Sequence, residues 1–371
     1  IQKEFKNQSM DLEWTFVDGK LYILQIRPVT VDWLPNVWLF DNSNIAESYT
    51  GIVSPMTVSV AGRLYNYVYR DLLNKSGVSK AKINAHSKVF DHLVKGFYGR
   101  IYYVMNHWYA MMFFLPGYRR NKENLEQMIT SEIRQDIFLP ESIKPSLGLR
   151  ILYYPLILWK TILFPITTRR FSRNILKDFK ELKELDFSSY SNEQLKKLWD
   201  SLERKWMRNW YITVENDTIL MTFLGWAEKK YSPSKLRAFI SIETPSVRQL
   251  RDFKELSKSI FAEPELSRVL NSDKELLFLT DLKKHPNLNK KWKSYFSAYG
   301  GRFPNELKLE SPSPMDDFGS LTNAMREIIS SPLKSKGAET NKKYPWGIRQ
   351  LHQYIRQRES FRLLRSTAFG W

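Results

Sequence analysis

The chain has 371 residues, enough for one large or two ordinary domains with a sizeable hydrophobic core. It carries 57 Lys and Arg against 39 Asp and Glu, a formal charge of +18, which favours contact with something anionic. The absence of cysteine excludes disulfides, thiol catalysis and thiolate metal sites. It is also compatible with a reducing compartment, so we expect a cytoplasmic protein. The basic residues accompany no nucleic-acid-binding motif, and nucleic acid is therefore not an expected partner.

The N-terminal segment predicts a β-hairpin, because two β-rich runs flank the turn dipeptide Asp18 and Gly19. We expect one extra residue in the turn, with Gly19 as a left-handed bulge. This register sorts the side chains onto two faces. The apolar face would hold Leu12, Trp14, Phe16, Tyr22, Leu24 and Ile26, and the polar face Asp11, Glu13, Gln25 and Arg27.

A carboxylate, an amide and a guanidinium on one face of this ribbon suit a polyphosphate bridged by Mg²⁺. Glu13 would be a metal ligand, and Arg27 would grip phosphate. An ordinary half-solvated hairpin would show the same alternation, and both readings remain open.

Helical periodicity replaces the β pattern after Thr30 and continues almost to the C-terminus. The fold class we predict is mainly α, a multi-helix domain preceded by the short hairpin. Helix starts are marked by capping residues and prolines. They are Ser54 with Pro55, Ser191 with Gln194, Thr244 with Pro245, Glu263 with Pro264, and Tyr344 with Pro345.

Residues 147–167 form the most apolar stretch of the chain. Its length is close to the roughly 20 residues that a spanning helix needs, but it contains Arg150, Lys160 and two prolines. We therefore predict a buried or pocket-lining helix and no transmembrane segment. Interfacial membrane contact is the alternative.

The run Leu-Tyr-Ile-Leu-Gln-Ile-Arg-Pro-Val-Thr at 21–30 resembles the end of the ATP-binding domain in the pyruvate phosphate dikinase, phosphoenolpyruvate synthase and rifampicin phosphotransferase group. The resemblance implies that residues 1–32 are the last piece of an ATP-grasp-type domain. It also implies that Glu13, Gln25 and Arg27 contact the phosphates of ATP and Mg²⁺. The chain would then be a fragment of a longer protein.

Later segments resemble, in the same order, the helical domain that follows in phosphoenolpyruvate synthase-like proteins. These segments are 38–47, 51–57, 99–103, 115–118, 216–217, 299–302 and 306–312. The resemblance implies that residues 33–371 form a helical central acceptor-binding domain, which we expect to be truncated at its C-terminus. The substrate-binding candidates are Arg100, Tyr103, Asn216, Asp217, Arg302 and Glu306.

Each group of candidates could instead have a purely structural role. Asn216 and Asp217 either satisfy neighbouring backbone groups or orient a substrate. The loop with Arg302 and Glu306 either forms surface ion pairs or contacts a substrate or another domain. The aromatic run 102–114 is either core or the wall of a pocket, which would suit an acceptor larger and more apolar than pyruvate.

The resemblance implies an ATP-dependent phosphotransferase with paired acceptors, of the dikinase type, that relays phosphate through a histidine on a swivelling domain to a small-molecule acceptor. None of the five histidines, His86, His92, His107, His285 and His352, has the Gly-rich Ser/Thr-His surroundings of such a histidine. We therefore expect this segment to be inactive without its ATP-binding and phosphohistidine domains. The alternative is a non-catalytic basic helical module that binds an anionic partner.

Overall fold

The structure is a computed structural model that describes residues 10–28, 38–126, 141–270, 275–303, 305–314, 316–331 and 344–369. It is mainly helical with two small antiparallel sheets, which confirms the predicted fold class at this level. The expected domain boundary between residues 32 and 33 lies outside the described residues.

The N-terminal hairpin consists of β1 (Met10–Val17) and β2 (Lys20–Pro28). Our prediction of an extra residue in the turn is wrong. Asp18 and Gly19 both have positive φ, 48° and 76°, and make a two-residue turn that matches the twist of the strands. The irregularity lies further along, at the step from Glu13 to Trp14.

The shifted bulge changes the apolar face but keeps the polar pairing. Glu13 still lies opposite Gln25, and Asp11 is paired with Arg27, as expected. Leu21 and Ile23 pair with Phe16 and Trp14, whereas Tyr22 pairs with Thr15 and therefore leaves the predicted apolar face.

The first hydrophobic core surrounds a three-stranded sheet of order β3-β5-β4. Most of the aromatic run belongs to this core, where Trp108, Tyr109 and Phe114 are buried, and Tyr103, also buried, lines a recess as well. Its elements are β3 (Phe40–Asp41), α1 (Pro55–Lys75), α2 (Lys80–Ala85), α3 (Ser87–Asp91), β4 (Val94–Phe97), β5 (Arg100–Val104), α4 (Met105–Phe113) and α5 (Tyr118–Glu126).

The second core is helical and shares α1 with the first. Buried rings join its helices, with Phe164 6.0 Å from Tyr354 and Phe171 5.5 Å from Trp210 between ring centroids. Its elements are α6 (Leu147–Lys183), α7 (Asn192–Met207), α8 (Tyr211–Lys230), α9 (Pro233–Ile240) and α15 (Trp346–Phe369).

The third core is formed by the helices between α9 and α15. Phe278, Leu266 and Met325 are among its fully buried residues. Its elements are α10 (Pro245–Phe261), α11 (Pro264–Leu270), α12 (Glu275–Leu282), α13 (Pro286–Tyr299) and α14 (Phe318–Ser330).

The predicted helix starts are confirmed, and three of them have the expected side-chain cap. The Ser54 hydroxyl accepts a hydrogen bond from the Thr57 amide at the start of α1. Ser191 and Gln194 form both bonds of a capping box at the start of α7. Thr244 caps α10 in the same way as Ser54 caps α1.

Helix α6 continues past the apolar stretch to Lys183, with Pro155 and Pro165 inside it. The expectation that its apolar stretch is buried is wrong, because only 6% of its most apolar 18-residue window is buried. The alternative expectation of a pocket-lining helix is met in part, since Tyr154 and Ile166 line surface recesses. Among the described residues α6 is the one helix long and apolar enough to cross a membrane, by length and composition alone.

Candidate functional site

A recess of about 240 Å³ lies where α1, α8, α15 and the segment before α1 meet. Two predicted substrate-binding residues, Tyr103 and Asp217, line it. Its other walls come from both neighbouring cores. They are Asn44, Glu47, Ser48, Tyr49, Leu64, Tyr65, Val68, Tyr69, Trp210, Thr213, Val214, Leu307, Arg358, Phe361, Arg362 and Arg365.

Three arginines of α15 face this recess. Arg358, Arg362 and Arg365 are spaced by four and three residues, so they lie on one side of the helix. Their positive charge concentrates in a small volume, which favours an anionic ligand.

The three guanidinium groups differ in their partners. Arg358 lies 3.5 Å from an Asp217 carboxylate oxygen, and Arg362 lies 3.3 Å from Glu359. Arg365 forms no ion pair or hydrogen bond within the described part of the chain, and its Nε atom is buried without a partner. Because Arg358 and Arg362 each have a carboxylate partner and Arg365 has none among the described residues, the charge of Arg365 is the least neutralised of the three and the best placed to attract an anion.

Tyrosines form the opposite wall. The hydroxyl of Tyr103 donates to the Asn44 side-chain oxygen and lies 3.2 Å from the Tyr65 hydroxyl. Burial raises the pKa of Tyr49 to about 12, although the charge of Arg365 opposes this. Burial likewise raises the pKa of Tyr65. These phenols therefore stay neutral at physiological pH and serve as hydrogen-bonding groups.

Asp217 is the one carboxylate of α8 on the recess wall. Half of the Asp217 side-chain surface is accessible to solvent. The protein atoms around the recess nevertheless desolvate the carboxylate, and this raises its pKa. Arg358, a hydrogen bond with Asn216, Arg362 and Arg365 oppose that rise. Its position beside the guanidinium groups suits a carboxylate that orients a hydroxyl group of a ligand.

Asn216 lies in the contact between α8 and α15, and its Oδ1 atom has no hydrogen-bond partner among the described residues. It is fully buried, and its side-chain amide donates to the backbone carbonyl oxygen of Tyr354 at 3.3 Å. This bond attaches α8, which carries Asp217, to α15, which carries the three arginines. Asn216 itself does not line the recess.

Glu306 borders the recess, although it does not line it. It accepts a hydrogen bond from the Ser366 hydroxyl at 2.7 Å, which holds the loop of Leu307 against α15. Arg302 and Arg100 are not in the lining, and Arg100 is exposed at the start of β5. The structure thus brings Tyr103, Asn216, Asp217 and Glu306 into one neighbourhood. Arg302 borders it, because its charge acts on Glu359, the partner of Arg362, whereas Arg100 lies apart from it.

Glu310 holds two distant segments of the chain together, although the sequence analysis did not single it out. Its carboxylate accepts from the Ser54 amide at 2.9 Å, the Ser54 hydroxyl at 2.7 Å and the Thr57 hydroxyl at 2.6 Å. It therefore joins the segment 306–312 to the start of α1, where a negative charge is also favoured by the helix dipole. Glu310 and Ser54 are 256 residues apart, and no local pattern in the sequence signals this contact.

The predicted nucleotide-binding residues lie on the hairpin. The Arg27 guanidinium is 3.4 Å from Glu13, and each of these side chains is a little over half exposed. No cluster of three or more metal-ligating His, Asp or Glu side chains occurs in the described ranges, so Glu13 alone would be an incomplete metal site.

No family model matches the chain, and no curated protein matches it significantly. The family resemblance therefore stays a hypothesis that rests on the sequence motifs.

Proposed function

We propose that this chain is the acceptor-binding part of an ATP-dependent phosphotransferase similar to the phosphoenolpyruvate synthase and rifampicin phosphotransferase group. The observation that carries the proposal is the recess in which Arg358, Arg362 and Arg365 face Tyr103 and Asp217. It combines guanidinium groups that recognise carboxylate or phosphate with hydroxyl and carboxylate groups that orient a reacting oxygen.

The size of the recess favours a small acceptor. Its volume of about 240 Å³ lies below the several hundred Å³ that pockets for drug-sized ligands usually offer. A carboxylate of the size of pyruvate or phosphoenolpyruvate suits this space better than a large apolar molecule.

Arg358, Arg362 and Arg365 would act mainly through their positive charge. Phosphoryl transfer depends on positioning and on electrostatic stabilisation of the transferred group, and fixed guanidinium groups supply both. Arg365, which lines the recess, would bind the carboxylate of the acceptor, while Asp217 would accept a hydrogen bond from the enol hydroxyl of a pyruvate-type acceptor.

The hairpin offers donors of the kind that ATP and Mg²⁺ need, but only part of a site. Glu13 would be an oxygen ligand of Mg²⁺, and Gln25 and Arg27 would contact phosphate oxygens. Bound ATP would supply the phosphoryl group. The hairpin also exposes Trp14, Phe16 and Leu21, which an ATP-grasp-type domain around it would cover.

Titration calorimetry with phosphoenolpyruvate and pyruvate tests the recess. The wild-type chain should bind at least one of them, and Arg365→Ala should weaken that binding by about tenfold or more, as expected for loss of a charged hydrogen-bond donor. Arg356→Ala is the matched control, because Arg356 is an exposed arginine of the same helix that does not line the recess. Equal binding by both variants would contradict the proposed site.

A second candidate function, a basic module for a larger anionic partner, is favoured by a separate groove of about 1120 Å³. Asp71 and Asp91 are the acidic residues of its lining. Its eight basic residues are Arg63, Arg70, Lys75, Lys80, Lys95, Arg204, Lys205 and Arg208. A partner bound here should be released steeply as salt rises, whereas binding of the small acceptor in the recess should tolerate moderate salt.

A further inference from the structure

The outward face of α6 is apolar along its first five turns. Eight large apolar side chains there are each at least 60% exposed. They are Leu147, Ile151, Leu152, Tyr154, Leu158, Trp159, Ile162 and Ile166. At 1.5 Å per residue they form a stripe about 30 Å long. A contiguous apolar surface of this size marks an interaction site.

The opposite face of the same helix is attached to the second core. Phe164, Phe171 and Ile175 are buried there, and Lys160 forms an ion pair with Glu215 of α8. A helix that crossed a bilayer would take these attached polar partners into the hydrocarbon, which is costly. The geometry favours a helix that lies along a surface with its outer face inserted.

The charge along α6 indicates which kind of surface the helix binds. Residues 147–177 contain six basic residues and no Asp or Glu. Arg169, Arg170 and Arg173 are exposed and have no ion-pair partner among the described residues. They continue the outward face directly after its apolar part, because their positions fall on the same side of the helix. Apolar residues with aromatics beside a cationic segment are typical of helices that bind anionic lipid.

We infer that α6 is a membrane-surface helix, which inserts its apolar outer face between the headgroups of an anionic bilayer while Arg169, Arg170 and Arg173 contact lipid phosphates. Trp159 and Tyr154 lie on the inserted face, as is usual for interfacial helices. This site is separate from the recess on α15 and does not depend on the proposed phosphotransferase function.

Flotation with vesicles tests the inference on the full chain. The probes are vesicles of phosphatidylcholine alone and of phosphatidylcholine with 30% phosphatidylserine. We expect the wild-type chain to float with the second kind. The variant Ile151→Ser/Leu158→Ser/Ile162→Ser should partition at least about tenfold less, because three inserted apolar side chains are lost.

A second variant separates charge from apolar contact. Arg169→Ala/Arg173→Ala should lower partition onto the anionic vesicles by about tenfold and change partition onto phosphatidylcholine by less than about twofold. The matched control Ile52→Ser/Val247→Ser/Leu276→Ser removes three exposed apolar side chains away from α6 and should behave as wild type. All variants alter exposed positions, and circular dichroism checks that they fold.

Three results would overturn the inference. The first is a wild-type chain that does not float with anionic vesicles, and the second is flotation that the α6 variants leave unchanged. The third is a wild-type dimer in sedimentation experiments that the Ser variant dissociates, without any vesicle binding, because a second copy would then cover α6.

Discussion

The hydrogen bonds of Glu310 predict a clear effect of the substitution Glu310→Gln. Burial alone would raise the pKa of this carboxyl group, but the bonds from Thr57 and Ser54 lower it from the usual 4.5 to about 2. The lowered pKa corresponds to roughly 3 kcal/mol of stabilisation of the charged form. One third of the side chain is accessible, so solvent screening reduces the expected loss to about 2 kcal/mol at pH 7.

The pH dependence of this loss follows from the direction of the pKa shift. A carboxyl group whose pKa is lower in the folded chain stabilises it above its unfolded pKa near 4.5. That stabilisation disappears as the pH falls from about 5 through about 2. The difference in unfolding free energy between wild type and Glu310→Gln should therefore be largest at neutral pH and approach zero near pH 2.

Urea denaturation followed by circular dichroism measures both effects. The control is Glu181→Gln, which removes an exposed carboxylate with a 3.7 Å pair to Lys177 and should cost less than about 1 kcal/mol. A loss for Glu310→Gln as small as that of the control, or a loss that stays constant between pH 7 and pH 2, would refute this account of Glu310.

Two further substitutions test the recess and its supports. Gly301→Ala should destabilise the chain by about 1–3 kcal/mol in the same urea assay, because the added methyl group would lie 2.5 Å from the Ser366 carbonyl oxygen; a stability within 0.5 kcal/mol of wild type would contradict this packing. Asp217→Asn should tighten binding of phosphoenolpyruvate, which has no carbon-bound hydroxyl group for Asp217 to hold, by about fivefold in calorimetry, because it removes a negative charge beside the three arginines; unchanged or weaker binding would contradict this charge arrangement.

Local signals predicted the helical part of the fold well. Ser54, Ser191 and Thr244 each stand before a helix and cap it, since a side-chain oxygen at that position satisfies an amide that has no partner within the helix. Such bonds depend on neighbours in sequence alone, so the sequence contains them in full.

Features that depend on tertiary contacts were not predictable in the same way. The predicted position of the hairpin bulge was wrong. A bulge in the turn and a bulge within the strand both put Glu13 opposite Gln25, so this pairing could not distinguish them. The apolar composition of α6 was equally ambiguous, since composition does not say which side of a helix the rest of the chain covers.

The candidate site was predicted in part. Tyr103 and Asp217 were named from a resemblance between segments, and the structure places both on one recess. The spacing of Arg358, Arg362 and Arg365 is visible in the sequence, but it gains meaning only once α15 is known to face α1 and α8. Arg100 and Arg302 were named from the same resemblance but do not line the recess, because a match between segments does not specify which side chains meet in space.

The most direct test of the proposed function uses ³²P-labelled ATP and the full-length protein that the gene encodes. We predict that the protein becomes labelled on histidine and passes the label to a small carboxylate acceptor. Arg365→Ala should keep the protein label and lose most of the transfer, whereas Arg27→Ala should reduce the labelling itself. Absence of any label from ATP on the wild-type protein would contradict the account.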